Sequence, residues 1–172
     1  MKRPTLVVLS GLPGTGKSTL AAQIARRVGA PIFSVDPIES AMLEAGVRRT
    51  FESGLAAYLV ARTLADSQLR LGHSAIIDAV NAMTYDKQMW TRLAARHRAK
   101  LRVIECICSD ELLHRRRLEA RRRGLAPAFR EPTWNDVVKR RGEWIPWKRP
   151  TLRIDAAHSL AANARRATSW LR

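Results

Sequence analysis

A glycine-rich loop between an apolar run and an amphipathic stretch constrains this chain more than any other feature. Thr5–Ser10 is a run of leucine and β-branched residues suited to a strand. It leads into Gly11-Leu12-Pro13-Gly14-Thr15-Gly16-Lys17-Ser18, after which Leu20, Ile24 and Val28 recur every four residues as one stripe of a helix. The loop matches G-x-x-x-x-G-K-[ST] in full, and it leaves a strand and opens a helix as that pattern requires. Glycines allow successive backbone N–H groups to turn inward on an anion, in conformations a side chain disfavours. The helix start adds the positive end of its dipole. A lysine at position 17 reaches the β- and γ-phosphates of a nucleoside triphosphate, and the Ser18 hydroxyl suits Mg²⁺. Gly11, Pro13, Gly14, Thr15, Gly16, Lys17, Ser18 and Thr19 are therefore the expected ATP-binding residues.

Downstream, short apolar runs alternate with helical stretches. Gly29 stands where a helix C-cap belongs. Ile32–Val35 reads as a second strand, with Asp36 just beyond it and Pro37 suited to a first helical turn. Phe51–Leu71 reads as a long helix with one stripe through Phe51, Leu55, Tyr58, Leu59 and Leu69 and a second through Val60, Leu64 and Leu71, so it should pack on two sides. Ser74–Asp78 and Leu101–Cys108 read as strands. Tyr85–His97 reads as a helix burying Trp90, Leu93 and Ala94. Asp110–Arg123 is a helical, arginine-rich stretch, Gly124–Pro132 a loop, Thr133–Gly142 a short helix, and Thr151–Ile154 a strand before a last helix from about Ala157. Alternation of this kind predicts one α/β domain across residues 1–172, with a five-stranded parallel sheet and helices on both faces.

Composition narrows the setting. No apolar run approaches the ~20 residues of a membrane span. Met1-Lys2-Arg3 and Thr5–Leu9 imitate a secretory leader, yet Lys17 follows without a small-x-small cleavage site, so a cytoplasmic protein is expected. Cys106 and Cys108 alternate in an apolar strand, where they should be buried reduced thiols. The four histidines are scattered, which argues against a zinc site. Lysine and arginine outnumber the acids 31 to 15, giving a net charge of +16. Such a surface attracts phosphate, including that of nucleic acid, although solvated helix faces and an arginine-rich composition account for the charge equally well.

Ser10 to Leu20, an Asp after the second strand and an Asp ending the third together resemble the small P-loop kinases. Within these the chain is most similar to the AAA-family ATPase group that includes the kinase domain of polynucleotide kinase, chloramphenicol phosphotransferase and zeta toxins. Phe33-Ser34-Val35-Asp36 followed by Ile38-Glu39-Ser40-Ala41-Met42 resembles chloramphenicol phosphotransferase in particular. The resemblance implies a P-loop NTPase three-layer sandwich, an ATP:hydroxyl phosphotransferase activity with Mg²⁺, and an arginine-rich lid over about residues 115–132. It implies that Asp36 accepts or orients the acceptor hydroxyl's proton; an N-cap for the helix at Pro37 is its structural alternative. Asp78 closes Ala75-Ile76-Ile77 like a Walker B acid, which binds Mg²⁺ usually through water; a strand-end turn is the alternative. Asn81 is suited to contacting acceptor or metal water, or to an Asx-turn.

Arg115, Arg116, Arg117, Arg121, Arg122 and Arg123 fall within nine residues. At about 100° per residue they form three helical pairs pointing in different directions, so at least one pair should face an anion. By resemblance to kinase lids, Arg117 and Arg121 are the pair expected at the phosphates. Trp90 and Trp170 are expected in the core, whereas Trp134, Trp144 and Trp147 follow the lid, where a base or acceptor could stack on them. The acceptor is expected to be a polynucleotide end or a small molecule such as an antibiotic or metabolite. A nucleotide-dependent RNA- or protein-binding switch is the competing class. A GTPase is disfavoured because no N-K-x-D sequence occurs, and the chain has little room for the extra helical domain of a motor.

Overall fold

The computed structural model describes residues 3–149 and 151–172. Alternation along the first strand shows how the layers arise. In β1 (Thr5–Ser10), Leu6 and Val8 enter one buried cluster while Val7 and Leu9 enter another. Successive strand side chains leave opposite faces, so a run apolar on both faces demands cover on both. The cover comes from α1 (Lys17–Val28) and α7 (Leu160–Leu171) on one side, through Leu20, Ala21, Ile24, Ala164 and Ala167. On the other lie α2 (Val35–Glu44), α3 (Phe51–Arg70) and α4 (Thr84–Arg96).

The remaining strands are β2 (Ile32–Ser34), β3 (Ala75–Asp78), β4 (Lys100–Ile107) and β5 (Thr151–Asp155), and two further helices are α5 (Glu111–Glu119) and α6 (Trp134–Gly142). All pairings are parallel, in the order β2-β3-β1-β4-β5. The chain leaves β1 toward β2 on one side and reaches β4 on the other. A crevice therefore opens beyond the carboxyl end of β1, where such sheets bind ligands. The expected α/β sandwich with a five-stranded parallel sheet is the observed fold.

Several local expectations change. Phe51 is 81% exposed, and Val60, Leu64 and Leu71 face solvent. Leu69 is buried and Tyr58 and Leu59 pack against the core as expected, but the rest of the buried line of α3 is Ser53, Ala57, Ala61 and Ala65, small residues every four positions that let the helix lie close to its neighbours. Leucine and valine on the flanks give the periodicity its two-sided look. Strand β2 stops at Ser34, which places Asp36 inside the first turn of α2 and makes Ser34 the N-cap. The arginine-rich helix α5 ends at Glu119, not Arg123. Arg121, Arg122 and Arg123 thus lie in a loop, and their helical pairing does not apply. Cys106 is buried, but Cys108 is only partly so because it stands just past the end of β4. No described helix is long and apolar enough to cross a membrane.

Candidate active site

The glycine loop is cramped by its neighbours. A Cβ on Gly11 would lie 2.2 Å from the Cys106 carbonyl oxygen, so only glycine lets the loop leave β1 this close to β4. Gly14 has φ +85°, and a Cβ there would lie 3.0 Å from the His114 ring. His114 reaches in from α5, 2% exposed, and its Nε2 donates to the Pro13 carbonyl at 2.7 Å. Burial lowers its pKa, against the Pro13 hydrogen bond, which favours the charged form. Inside the loop, Thr15 Oγ1 and Lys17 Nζ both donate to the Leu12 carbonyl, at 2.7 and 2.9 Å.

Lys17 is 8% exposed. Burial lowers the pKa of its ammonium, and the nearby carboxylates, first Asp78 and then Asp36, oppose that shift. Asp78 ends β3 in register with Leu9 and Ser34, and its Oδ2 accepts from the Ser34 hydroxyl at 3.0 Å. Asp36 Oδ2 accepts from Arg123 Nη1 at 2.6 Å. Asp78 thus stands at the carboxyl end of β3, beside β1, and Asp36 in the first turn of α2, after the edge strand β2.

Above the loop runs a cleft of about 550 Å³. Gly14, Thr15, Gly16, Lys17, Ser18 and Thr19 form its floor, and Arg117, Arg121, Arg122 and Arg123 hang over it. Ala156 and His158, between β5 and α7, and Leu160 and Asn163 of α7 also line it. Arg117 donates to the Ala156 carbonyl at 2.7 Å. Arg121 Nη1 is buried without a hydrogen-bond partner among the described residues, and burial, then the adjacent Arg123 charge, lower its pKa. A buried, unpaired guanidinium nitrogen is costly unless an anion meets it. The tightly turned loop, the buried ammonium and this orphaned donor fit a polyphosphate.

Asp36 and Asp78 do not line that cleft; Asp36 connects to it through Arg123. Gly11 borders a second cavity of about 350 Å³ behind the loop, and Pro13 is buried against His114. No described cluster of three or more His, Cys, Asp or Glu is suited to a metal. Oxygen donors of the Ser18 and Asp78 type instead suit a hard cation that takes its other ligands from phosphate and water.

Asn81 does not face an acceptor. It is fully buried at φ +52°, its Nδ2 donates to the Leu9 and Ala79 carbonyls, and its Oδ1 accepts from Trp90 Nε1 at 2.7 Å. It ties β1, the turn after β3 and α4 together. Trp170 is partly buried, under the Arg102 guanidinium. The three tryptophans after the lid do not line the cleft either. Trp134 stands edge-on to His114, Trp147 Nε1 donates to Ser10 Oγ at 3.1 Å, and Lys87 Nζ lies over Trp144 and Trp147. They brace the loop from behind. His114 and Glu131 are the site residues that sequence spacing misses, and it misses the partners of Arg123: His114 meets Pro13 101 positions away, and Glu131 acts through Arg123 on Asp36, 87 positions from that arginine.

Known proteins share this frame. A family model described as an AAA domain matches residues 6–141. An uncharacterized protein of Mycobacterium tuberculosis is 35% identical over 116 residues, 60% of this chain but 23% of that protein, so the match spans under a quarter of its relative. A kinase-designated protein of Chloroflexus aurantiacus superposes with a TM-score of 0.77 at 22% identity, covering 99% of this chain and 97% of that one. The APS kinase of M. tuberculosis, solved with AMPPNP and APS, superposes with a TM-score of 0.69 at 18% identity and covers 99% of each chain. At these identities the structures bear on the fold alone, which this chain shares with those proteins. With the family model spanning most of the sequence, phosphate loop included, the chain belongs to the AAA domain family.

Proposed function

We propose that the protein is an ATP-dependent phosphotransferase that moves the γ-phosphoryl group to a hydroxyl of a small molecule or of a polynucleotide end. One observation carries this reading. A single guanidinium, Arg123, lies in the wall of the phosphate cleft and bonds the Asp36 carboxylate, so the place for a triphosphate and the acid that would prepare an acceptor meet at one residue. The fold it shares with an APS kinase, and the sequence resemblance at Phe33–Met42, favour a small hydroxylated acceptor. The net charge of +16 favours a polynucleotide.

In this reading Lys17 and the loop N–H groups hold the β- and γ-phosphates, and Arg117 and Arg121 stabilise the charge that spreads over the transferring group. Ser18 and Asp78 would hold Mg²⁺, whose charge neutralises the triphosphate. Asp36 aligns the acceptor hydroxyl and takes its proton as the acceptor oxygen bonds to the γ-phosphorus and the bond to the ADP oxygen breaks. Labelled γ-phosphate supplied with Mg²⁺ and parallel acceptors (5′-hydroxyl RNA and DNA, nucleosides, hydroxylated antibiotics and metabolites) tests it. Label on an acceptor, lost in Lys17→Ala, supports the reading. Release of inorganic phosphate alone, with RNA affinity that changes with nucleotide, would replace it with the switch suggested by the basic surface.

A further inference from the structure

Glu131 lies in the loop between α5 and α6, and nothing around it in the sequence marks it. Its carboxylate grips Arg123 with both oxygens: Oε1 accepts from Nε at 2.8 Å and Oε2 from Nη2 at 2.6 Å. Nη1 of the same guanidinium donates to Asp36 Oδ2 at 2.6 Å. The Arg123 carbon stands 5.4 Å from the centre of the buried Phe129 ring, and Arg49, from the loop before α3, packs 5.6 Å from that ring. The Ala126 N–H donates to Ser40 Oγ at 2.8 Å, which pins this part of the loop to α2.

We propose that Glu131 is a positioning residue for the transfer step, acting through Arg123 on Asp36; the proposal rests on the phosphotransfer reading above. A bidentate carboxylate–guanidinium pair fixes the plane and rotation of the guanidinium, which a single contact does not. With its plane fixed, Arg123 meets Asp36 through one oxygen. Oδ2 is held, and Oδ1 has no donor among the described residues, so it stays open to an acceptor hydroxyl. A guanidinium carries five N–H donors. Nε, one hydrogen of Nη1 and one of Nη2 are used, which leaves one on each terminal nitrogen of a side chain that lines the phosphate cleft. Glu131 thereby sets the spacing between the group that receives the acceptor's proton and the wall that faces the phosphoryl group. Without it, nothing fixes the rotation of Arg123, and its fork is free to turn off the Asp36 oxygen.

The test is steady-state transfer by the full chain, with whichever acceptor takes label from γ-labelled ATP. Glu131→Gln keeps the side chain's shape and is expected to lower kcat by about 10²-fold, the usual cost of misplacing a reacting group. The KM for ATP should move less than about threefold, because the loop and Lys17 are untouched. In an Arg123→Ala background the same substitution should add no further loss, as for two residues acting as one unit. Unchanged kcat in a folded Glu131→Gln protein overturns the proposal. Faster turnover in Arg123→Ala also overturns it, since Arg123 would then mask Asp36. A stability cycle separates this from the function itself: urea midpoints give the coupling between Asp36 and Arg123, with Asp36→Asn and Arg123→Ala as the single changes. That coupling should vanish in Glu131→Gln. A wild-type protein that labels no acceptor defeats the phosphotransfer reading alone, and a coupling that survives in Glu131→Gln defeats the positioning role alone.

Discussion

The phosphate loop and the lid both present positive charge to the same cleft, but they are built in opposite ways. The loop is eight consecutive residues whose hydrogen bonds close largely on themselves, with Thr15 and Lys17 both on the Leu12 carbonyl and the ammonium buried. The lid arginines depend on distant partners, Arg117 on Ala156 and Arg123 on Asp36, with Glu131 of the same loop holding Arg123 from its other side. Arg115 and Glu119 pair along the outer face of α5 and contribute nothing to the cleft. Ion pairs that remain partly exposed contribute little to stability. The loop is therefore preformed by its own residues, whereas the arginines over the cleft are placed by contacts from other parts of the fold.

The largest effect should come from breaking the preformed side. Lys17→Ala is expected to bring nucleotide turnover down at least about 10²–10³-fold, since it removes a charge aimed at the transferring group. Phosphate release at the wild-type rate would end the assignment of the loop. Asp36→Asn comes next and tests the junction with the lid. It should retain ATP affinity and lose roughly 10²-fold or more in transfer, as expected when a general base is removed. Titration with a fluorescent nucleotide beside a labelling assay separates the two, and full transfer would remove Asp36 from the chemistry.

Gly14→Ala addresses the loop's shape, independently of its charge. The left-handed backbone alone costs about 1–2 kcal/mol for a residue with a Cβ, and the His114 ring must also move. A lower urea midpoint with weakened ATP binding is the expected result; no change in either would show that the loop is looser than its contacts imply. The smallest effect is the pH dependence contributed by His114. Its pKa is lowered in the fold, so on acidification the unfolded chain takes up the proton first, near pH 6.5. The stability it contributes is complete above that pH and is lost as pH falls toward and through the lowered value. Urea midpoints at pH 7.5 and 5.5 should therefore differ less in His114→Gln than in the wild type, and an equal difference would remove His114 as the source.

Much of the site is legible in the order of residues alone. Residues 11–19 declare themselves because backbone geometry and phosphate chemistry demand those residue types in a row. Asp78 shows itself as the end of an apolar strand, and Asp36 through resemblance. Asn81 is the counterexample. Its type suits an acceptor contact, but three hydrogen bonds commit it to the junction of β1, β3 and α4. The arginine run reads as one continuous helix because arginine is a good helix former, yet propensity is a weak prior and the helix stops at Glu119. Beyond that point, Arg123 meets two carboxylates that no local pattern reveals.

Near neighbours in the chain specify the strand–loop–helix unit and the glycine loop, and the alternation of apolar runs with helical stretches points to a parallel sheet covered on both faces. Contacts across the fold set which arginines overhang the cleft, that His114 bonds the loop at Pro13, and that Glu131 reaches Asp36 through Arg123. Such contacts join residues about 90 or more positions apart in two of these three cases, as for His114 with Pro13 and Arg123 with Asp36. Their geometry exists only once the crossovers of the sheet have brought the lid over the carboxyl end of β1.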